Sequence, residues 1–243
     1  MLCQVLVFFL AVWSVSSLGL PDYIKSCSRN DPNLNICALK SANDSIHQFS
    51  LGDPERLMPS LDPLYVAEMR VHVPDKNGLR IVFKDNYFKG FSKLQLVDLR
   101  FDLDKKFIIA DALVNLDVKN VYEISGKILL LPIRSSGDAS IKLKNTLLHL
   151  QIWYEHVTKD DGQIHWNITK HSVKFEMERA TFKLDNLFKD KAIGDQINKL
   201  INEMWREVVA EVGPSICEYL TSSVLNNLSI LFKQVPYEQL MPE

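Results

Sequence analysis

The stretch KAIGDQINKLINEMWREVVAEVGPSICEYLTSSVLNNLSIL, residues 191–231, decides the fold. Its apolar side chains, among them Ile193, Ile197, Ile201, Trp205, Val208, Val209, Val212, Ile216, Leu220, Val224, Leu228 and Leu231, recur at steps of three and four. That is one stripe on one helix of about 40 residues, on the order of 60 Å long. Gly213-Pro214 is expected to kink this helix and not to end it, because the stripe resumes in phase beyond the pair. A helix of such length normally signals a coiled coil, but the preceding sequence supplies another partner.

Between about residues 64 and 184 the apolar period is two. Tyr65, Ala67, Met69, Val71 and Val73 share a face, as do Leu79, Ile81 and Phe83, and then Val97, Leu99, Phe101 and Leu103. The pattern continues with Ile108, Ala110, Ala112, Val114 and Leu116; with Tyr122, Ile124, Ile128 and Leu130; with Leu148, Leu150, Ile152 and Tyr154; and with Val173, Phe175 and Met177. Charged residues fill the alternate positions, so the segment reads as a one-sided antiparallel sheet. One strand is expected from Phe88 to Asp104, with a bulge and bend where the phase shifts near Leu96-Val97. Upstream, Leu34, Cys37, Ala38, Ala42, Ile46 and Phe49 mark a short amphipathic helix, and the prolines 54, 59 and 63 mark a connector. Sheet and long helix each have one apolar face and no other partner. The expectation is an α+β fold in which a long, curved antiparallel sheet wraps one C-terminal helix, with a short N-terminal helix.

A sheet curled round a rod leaves apolar space wherever small side chains face one another. Such space holds either core or ligand, and for any single residue core is the plainer assignment. The side chains nominated for the lining are Phe83, Phe101, Tyr122, Ile152, Tyr154 and Phe175 on the sheet and Trp205 and Val209 on the helix. The hydroxyls of Tyr122 and Tyr154 are expected to orient a ligand's polar group.

Other functions find little support. The 243 residues are 47% hydrophobic and 24% charged with a net charge of −2, and no dense basic run is present to follow a nucleic-acid backbone. The nine glycines are thinly spread, so no phosphate-cradling loop can be drawn. The six histidines give no metal-ligand spacing, and no G-x-S-x-G elbow offers a nucleophile. No enzyme activity, cofactor or metal is expected.

The opening MLCQVLVFFLAVWSVSSLG is apolar from Val5 to Trp13 and then small, the pattern of a secretory signal cleaved after Ser17 or Gly19. Residues 1–19 are therefore assigned to a signal peptide and 20–243 to a single domain, secreted and extracellular. An oxidising compartment permits bridges: Cys27 and Cys37, ten positions apart around a turn-forming run, are expected to pair, leaving Cys217 as a buried thiol. Asn43, Asn167 and Asn227 head N-x-[ST] sequons and are candidate glycosylation sites, Asn167 being best placed beside the turn signal Lys159-Asp160-Asp161-Gly162.

The cysteine pair in CSRNDPNLNICALK, then PSLDPLYV, NVYEISGKILLLPI, LDNLF, INKLINEMWREV and VPYEQLMP follow one another from Tyr23 to Pro242 in an order and spacing that resembles the insect takeout and juvenile hormone-binding protein family. The resemblance implies the tubular lipid-binding (TULIP) fold and a secreted carrier of small hydrophobic ligands, such as juvenile-hormone-like terpenoids, fatty acids or other lipids. It also implies roles in feeding and circadian rhythm. Two departures stand out: Arg134-Ser135-Ser136-Gly137 replaces the family's Gly-x-Gly, and the mature chain lacks the cysteine needed for the second disulfide of true juvenile hormone-binding proteins, which places it nearer the takeout branch. The expected partner is a small hydrophobic ligand, with no nucleic acid, no metal and no stable membrane insertion, and the chain is expected to be a monomer. The contrasting expectation is a secreted lipid-surface or protein-interaction module with a filled core.

Overall fold

The computed structural model describes residues 19–72, 79–128, 131–160 and 162–243. Residues 1–18, where the signal peptide is expected, and Val73, Leu130 and Asp161 lie outside them. Helix α1 (Leu34–Ser50) leads through the prolyl connector into a six-stranded antiparallel sheet of β1 (Leu64–His72), β2 (Arg80–Lys89), β3 (Gln95–Asp102), β4 (Phe107–Ile128), β5 (Leu131–Thr158) and β6 (Ile164–Leu184). Helices α2 (Lys191–Glu203), α3 (Trp205–Gln234) and α4 (Tyr237–Leu240) follow. The strand order is β1-β2-β4-β5-β6, with β3 paired to β4 off this path.

β4 is the spine. Every second residue from Ile108 through Ile124 is buried, so one face stays inward along the strand, as its period of two requires. β5 pairs with β4 from Phe107 opposite Trp153 to Ile128 opposite Leu131. On the other edge, β3 pairs with the first half of β4 and β2 with the second.

This division corrects the single strand expected from Phe88 to Asp104. The chain breaks at Gly90, which adopts φ +125° and lies so close to β4 that a Cβ there would sit 2.0 Å from the Asn115 carbonyl oxygen. Asp62 holds the turn by accepting hydrogen bonds from the Gly90 N–H at 3.1 Å and the Ser92 N–H at 2.8 Å, and from the Ser92 hydroxyl. The expected bulge is present between Leu96 and Asp98, and it turns Val97 outward, 48% exposed, where alternation had placed it inside.

A second irregularity corrects β1. Leu64 and Val66 are buried and then Met69 and Val71, so the inward phase changes at Ala67, opposite an irregularity of β2 where Asp85 has φ +48°. Tyr65, expected inside, is 49% exposed and stacks on Tyr87 with ring centroids 5.1 Å apart.

The C-terminal stripe forms two helices. Pro214 lies inside α3, which continues through it. The break falls instead at Met204 (φ −97°, ψ 31°), yet bonds from its N–H to Leu200 and from Val208 to its carbonyl carry the chain onward. α3 packs along β6 and reaches β1, so it closes the curve of the sheet, while α1 covers β3. Cys27 and Cys37 are bridged, and Cys217 is free. Among the described residues no helix is long and apolar enough to cross a membrane.

Candidate ligand-binding cavity

Between the concave sheet and α3 lies a cavity of about 670 Å³. Its origin is a size mismatch on β4: the small Ala110 and Ala112 face inward, opposite Leu150 and Leu148 of β5. Phe83 of β2, Phe175 and Met177 of β6, and Val209, Val212 and Ile216 of α3 complete the wall. Phe175, Met177, Val209, Val212 and Ile216 are half-buried. At one end the lining includes Ile24, Ala42, Leu240 and Met241, from the N-terminal segment, α1 and the C-terminal tail. Elsewhere the exposed Glu207 and Glu211 of α3 stand at the rim.

Of the nominated residues, Phe83, Phe101, Tyr122, Ile152, Phe175 and Val209 line this cavity, and Tyr154 and Trp205 do not. Tyr154 is buried behind the wall, its ring 4.6 Å from that of Trp166 and 5.8 Å from that of His156, and Tyr237 packs on both Trp166 and His156. Burial pushes its phenol pKa well up, and its hydroxyl has no hydrogen-bond partner. Trp205 is held outside by the guanidinium groups of Arg179 and Arg206, 5.6 and 4.6 Å from its ring centre. Tyr122 lines the cavity with its ring, but its hydroxyl already donates to the Asp185 carbonyl at 2.7 Å. Alternation gave the face of each residue; which part of that face meets the void depends on the sizes of neighbours across the sheet.

The polar groups of the wall escaped the reading of the sequence. Asn120 and Thr146 line the cavity at 7% and 4% exposure, and Asn120 Oδ1 and Thr146 Oγ1 have no hydrogen-bond partner. The available signal was a polar residue at an inward position of an apolar strand. Cys217 and Thr221 also face the void, and burial raises the Cys217 thiol pKa to about 11, so it stays protonated and unreactive at neutral pH.

The sequons divide. Asn227 is wholly buried and its Nδ2 donates to the Pro59 carbonyl at 2.7 Å, which leaves no room for a glycan and corrects its nomination. Asn43 Nδ2 donates to the Leu39 and Leu96 carbonyls, so a glycan there would break the contact of α1 with β3. Asn167 pairs only with Glu155 in an exposed setting. A surface grouping of Ser222, His171 and Glu218 does not form a catalytic triad: the serine hydroxyl at 3.5 Å and the carboxylate at 2.6 Å both meet His171 Nε2, whereas a triad needs them on opposite ring nitrogens.

Residues 3–242 match the family model described as haemolymph juvenile hormone binding protein. The circadian clock-controlled protein daywake of Drosophila melanogaster is 28% identical over 236 residues, covering 92% of this chain and 89% of that protein. Its namesake in Drosophila yakuba is 28% identical over 240 residues with the same coverage of both chains. The crystal structure of Epiphyas postvittana Takeout 1 superposes with a TM-score of 0.83 at 26% identity, covering 90% of this chain and all of that one. The wrapped-helix architecture is thus that of a takeout protein.

Proposed function

Because the chain belongs to the haemolymph juvenile hormone binding protein family, we propose that it is a secreted carrier that takes an elongated, mostly apolar small molecule between its sheet and α3. The observation that carries this reading is the cavity: about 670 Å³, lined by Ala110, Ala112, Leu148, Leu150, Phe175 and Val212, within the range of sites for small molecules. A ligand burying roughly 400 Å² of apolar surface there gains about 10 kcal/mol at about 25 cal/mol per Å², before the cost of association reduces it. A filled-core interaction module does not fit a void of this size.

The Cys27–Cys37 bridge suits an extracellular compartment. Residues 20–243 are taken to act as one monomeric domain after removal of the leader, with Asn167 as the glycosylation site. The test is mass spectrometry of an organic extract of the purified protein, together with displacement of a hydrophobic fluorescent probe by long-chain lipids and terpenoids. Release of a stoichiometric lipid, or displacement at micromolar concentration, is the expected result. Absence of both would overturn the carrier reading.

A further inference from the structure

Resting on the carrier reading, we infer that the cavity selects a ligand bearing an alcohol hydroxyl, which donates its hydrogen bond to Oδ1 of Asn120. The orientation of that amide is fixed by a chain of neighbours. Asn86, fully buried, donates from Nδ2 to the carbonyls of Val66 and Phe83, both at 3.0 Å. Its Oδ1 must therefore be the atom that faces Asn120, and it accepts the Asn120 Nδ2 at 3.0 Å. Asn120 gives one Nδ2 hydrogen to Asn86, and its Oδ1 remains as a buried acceptor without a partner in the cavity wall.

An unmet buried acceptor discriminates between chemical classes because its demand is for a donor alone. A hydrocarbon leaves it unmet. An ester, ketone or epoxide brings a second acceptor, and a carboxylate adds repulsion. A hydroxyl supplies what is missing. Thr146 offers a second polar point on the same inward face: it pairs with Val114, six residues of β4 from Asn120, which is roughly 20 Å at about 3.3 Å per residue. Its Oγ1 can donate or accept, so it tolerates a second oxygen of either kind on a long ligand, and Asn120 sets the class.

The experiment compares 1-hexadecanol with its methyl ether as competitors of N-phenyl-1-naphthylamine on the full mature protein. A wall that was only apolar would favour the ether, whose oxygen is the easier to dehydrate. The wild type is expected to bind the alcohol about 3- to 10-fold more tightly, the worth of one ordinary hydrogen bond. Asn120→Leu should abolish that preference, while Thr146→Val should keep it. Asn120→Leu deprives Asn86 of its donor and can unfold the protein, but the wild-type ratio needs no variant. Equal binding of alcohol and ether by the wild type would overturn the proposal and leave the carrier reading standing, as would an alcohol preference that survives Asn120→Leu. Failure of both competitors to displace the probe would overturn the proposal and, with no lipid in the organic extract, the carrier reading as well.

Discussion

Asn202 pairs with Phe182 as a neighbouring strand would: its Nδ2 donates to the Phe182 carbonyl at 2.7 Å and its Oδ1 accepts the Phe182 N–H at 2.9 Å. One turn earlier, Asn198 makes the same two bonds to Leu184, each at 2.8–2.9 Å. Asn43 of α1 does so for Leu96 of β3. β6 and β3 are edges of the sheet, with main-chain groups that would otherwise be open to pairing with other chains. Helical asparagines close these edges and dock α1 and α2 at the same time.

Replacing Asn202 by Ala should therefore cost about 1–3 kcal/mol, since two main-chain groups of Phe182 lose their partner. Hydrogen exchange would locate the effect: the Phe182 amide should exchange faster while amides in the centre of β4 keep their protection. Unchanged exchange at Phe182 would show that the side-chain ladder adds nothing to the edge.

The disulfide and the free thiol should differ in consequence. Closing the ten-residue separation of Cys27 and Cys37 contributes about 2 to 3 kcal/mol by the chain-entropy account, so Cys27→Ser should lower thermal stability clearly. Cys217→Ser places a hydroxyl at the cavity wall near Thr221 and should be mild. Peptide mapping without reduction checks the pairing, and a bridge involving Cys217 would contradict it.

Much of this architecture was legible in the sequence because both governing periods are long and clean. The even positions of β4 and the stripe of α3 each repeat often enough to fix a face, and two unpartnered faces imply that one wraps the other. What was not legible arose from single residues that reset the phase. Gly90 divides a strand because the backbone of Asn115 lies against it; alternation shifts at Ala67, opposite the β2 irregularity, and at Val97, in the β3 bulge; Met204 interrupts a helix that Gly213-Pro214 leaves whole. In the cavity, Phe83 and Phe175 were found from alternation, but Tyr154 and Trp205 share the inward pattern and still lie outside the lining. Asn120 and Thr146 are polar exceptions on an apolar face, and exceptions of that kind carry no sign in the sequence of whether a partner awaits them.

Acid should loosen the aromatic cluster around Trp166 at the cavity wall. Trp166 donates its indole N–H to His156 Nε2 at 3.1 Å, which requires a neutral imidazole there. Burial lowers the His156 pKa, with Lys106 and Arg29 adding to the effect. A histidine whose folded pKa lies below its ordinary value near 6.5 contributes stability that is full above that value and lost as pH falls through the lowered one. Thermal stability should thus decline as pH drops below 6.5, with a change in Trp166 fluorescence, and His156→Gln should flatten that part of the profile. A profile identical in the variant would remove His156 from the account.

Tyr154→Phe should leave binding of oxygenated ligands unchanged, because the ring lies outside the cavity lining. It should also keep or raise stability, by up to about 1 kcal/mol, since it deletes a buried hydroxyl that has no partner. Weaker binding of alcohols by this variant would mean that the hydroxyl reaches the ligand after all.

The sharpest test of the cavity is to fill it. Val209 projects from α3 into the void, next to the point where Gly213 meets Phe175 of β6 so closely that a Cβ on the glycine would lie 2.7 Å from the ring. Val209→Trp puts an indole into this space, at a cost of about 1–3 kcal/mol if the surrounding side chains must shift and less if the void accepts the ring. Gly213→Ala acts indirectly by pushing the Phe175 ring away from α3. Both variants should retain the far-ultraviolet circular dichroism of the wild type and both should lose affinity for long ligands, Val209→Trp by an order of magnitude or more. Short ligands should suffer less, because they can occupy the end of the cavity beyond Phe175. Wild-type affinity for a long ligand in a folded Val209→Trp protein would show that the ligand lies elsewhere, and that the space between β4 and α3 is a packing fault with no part in binding.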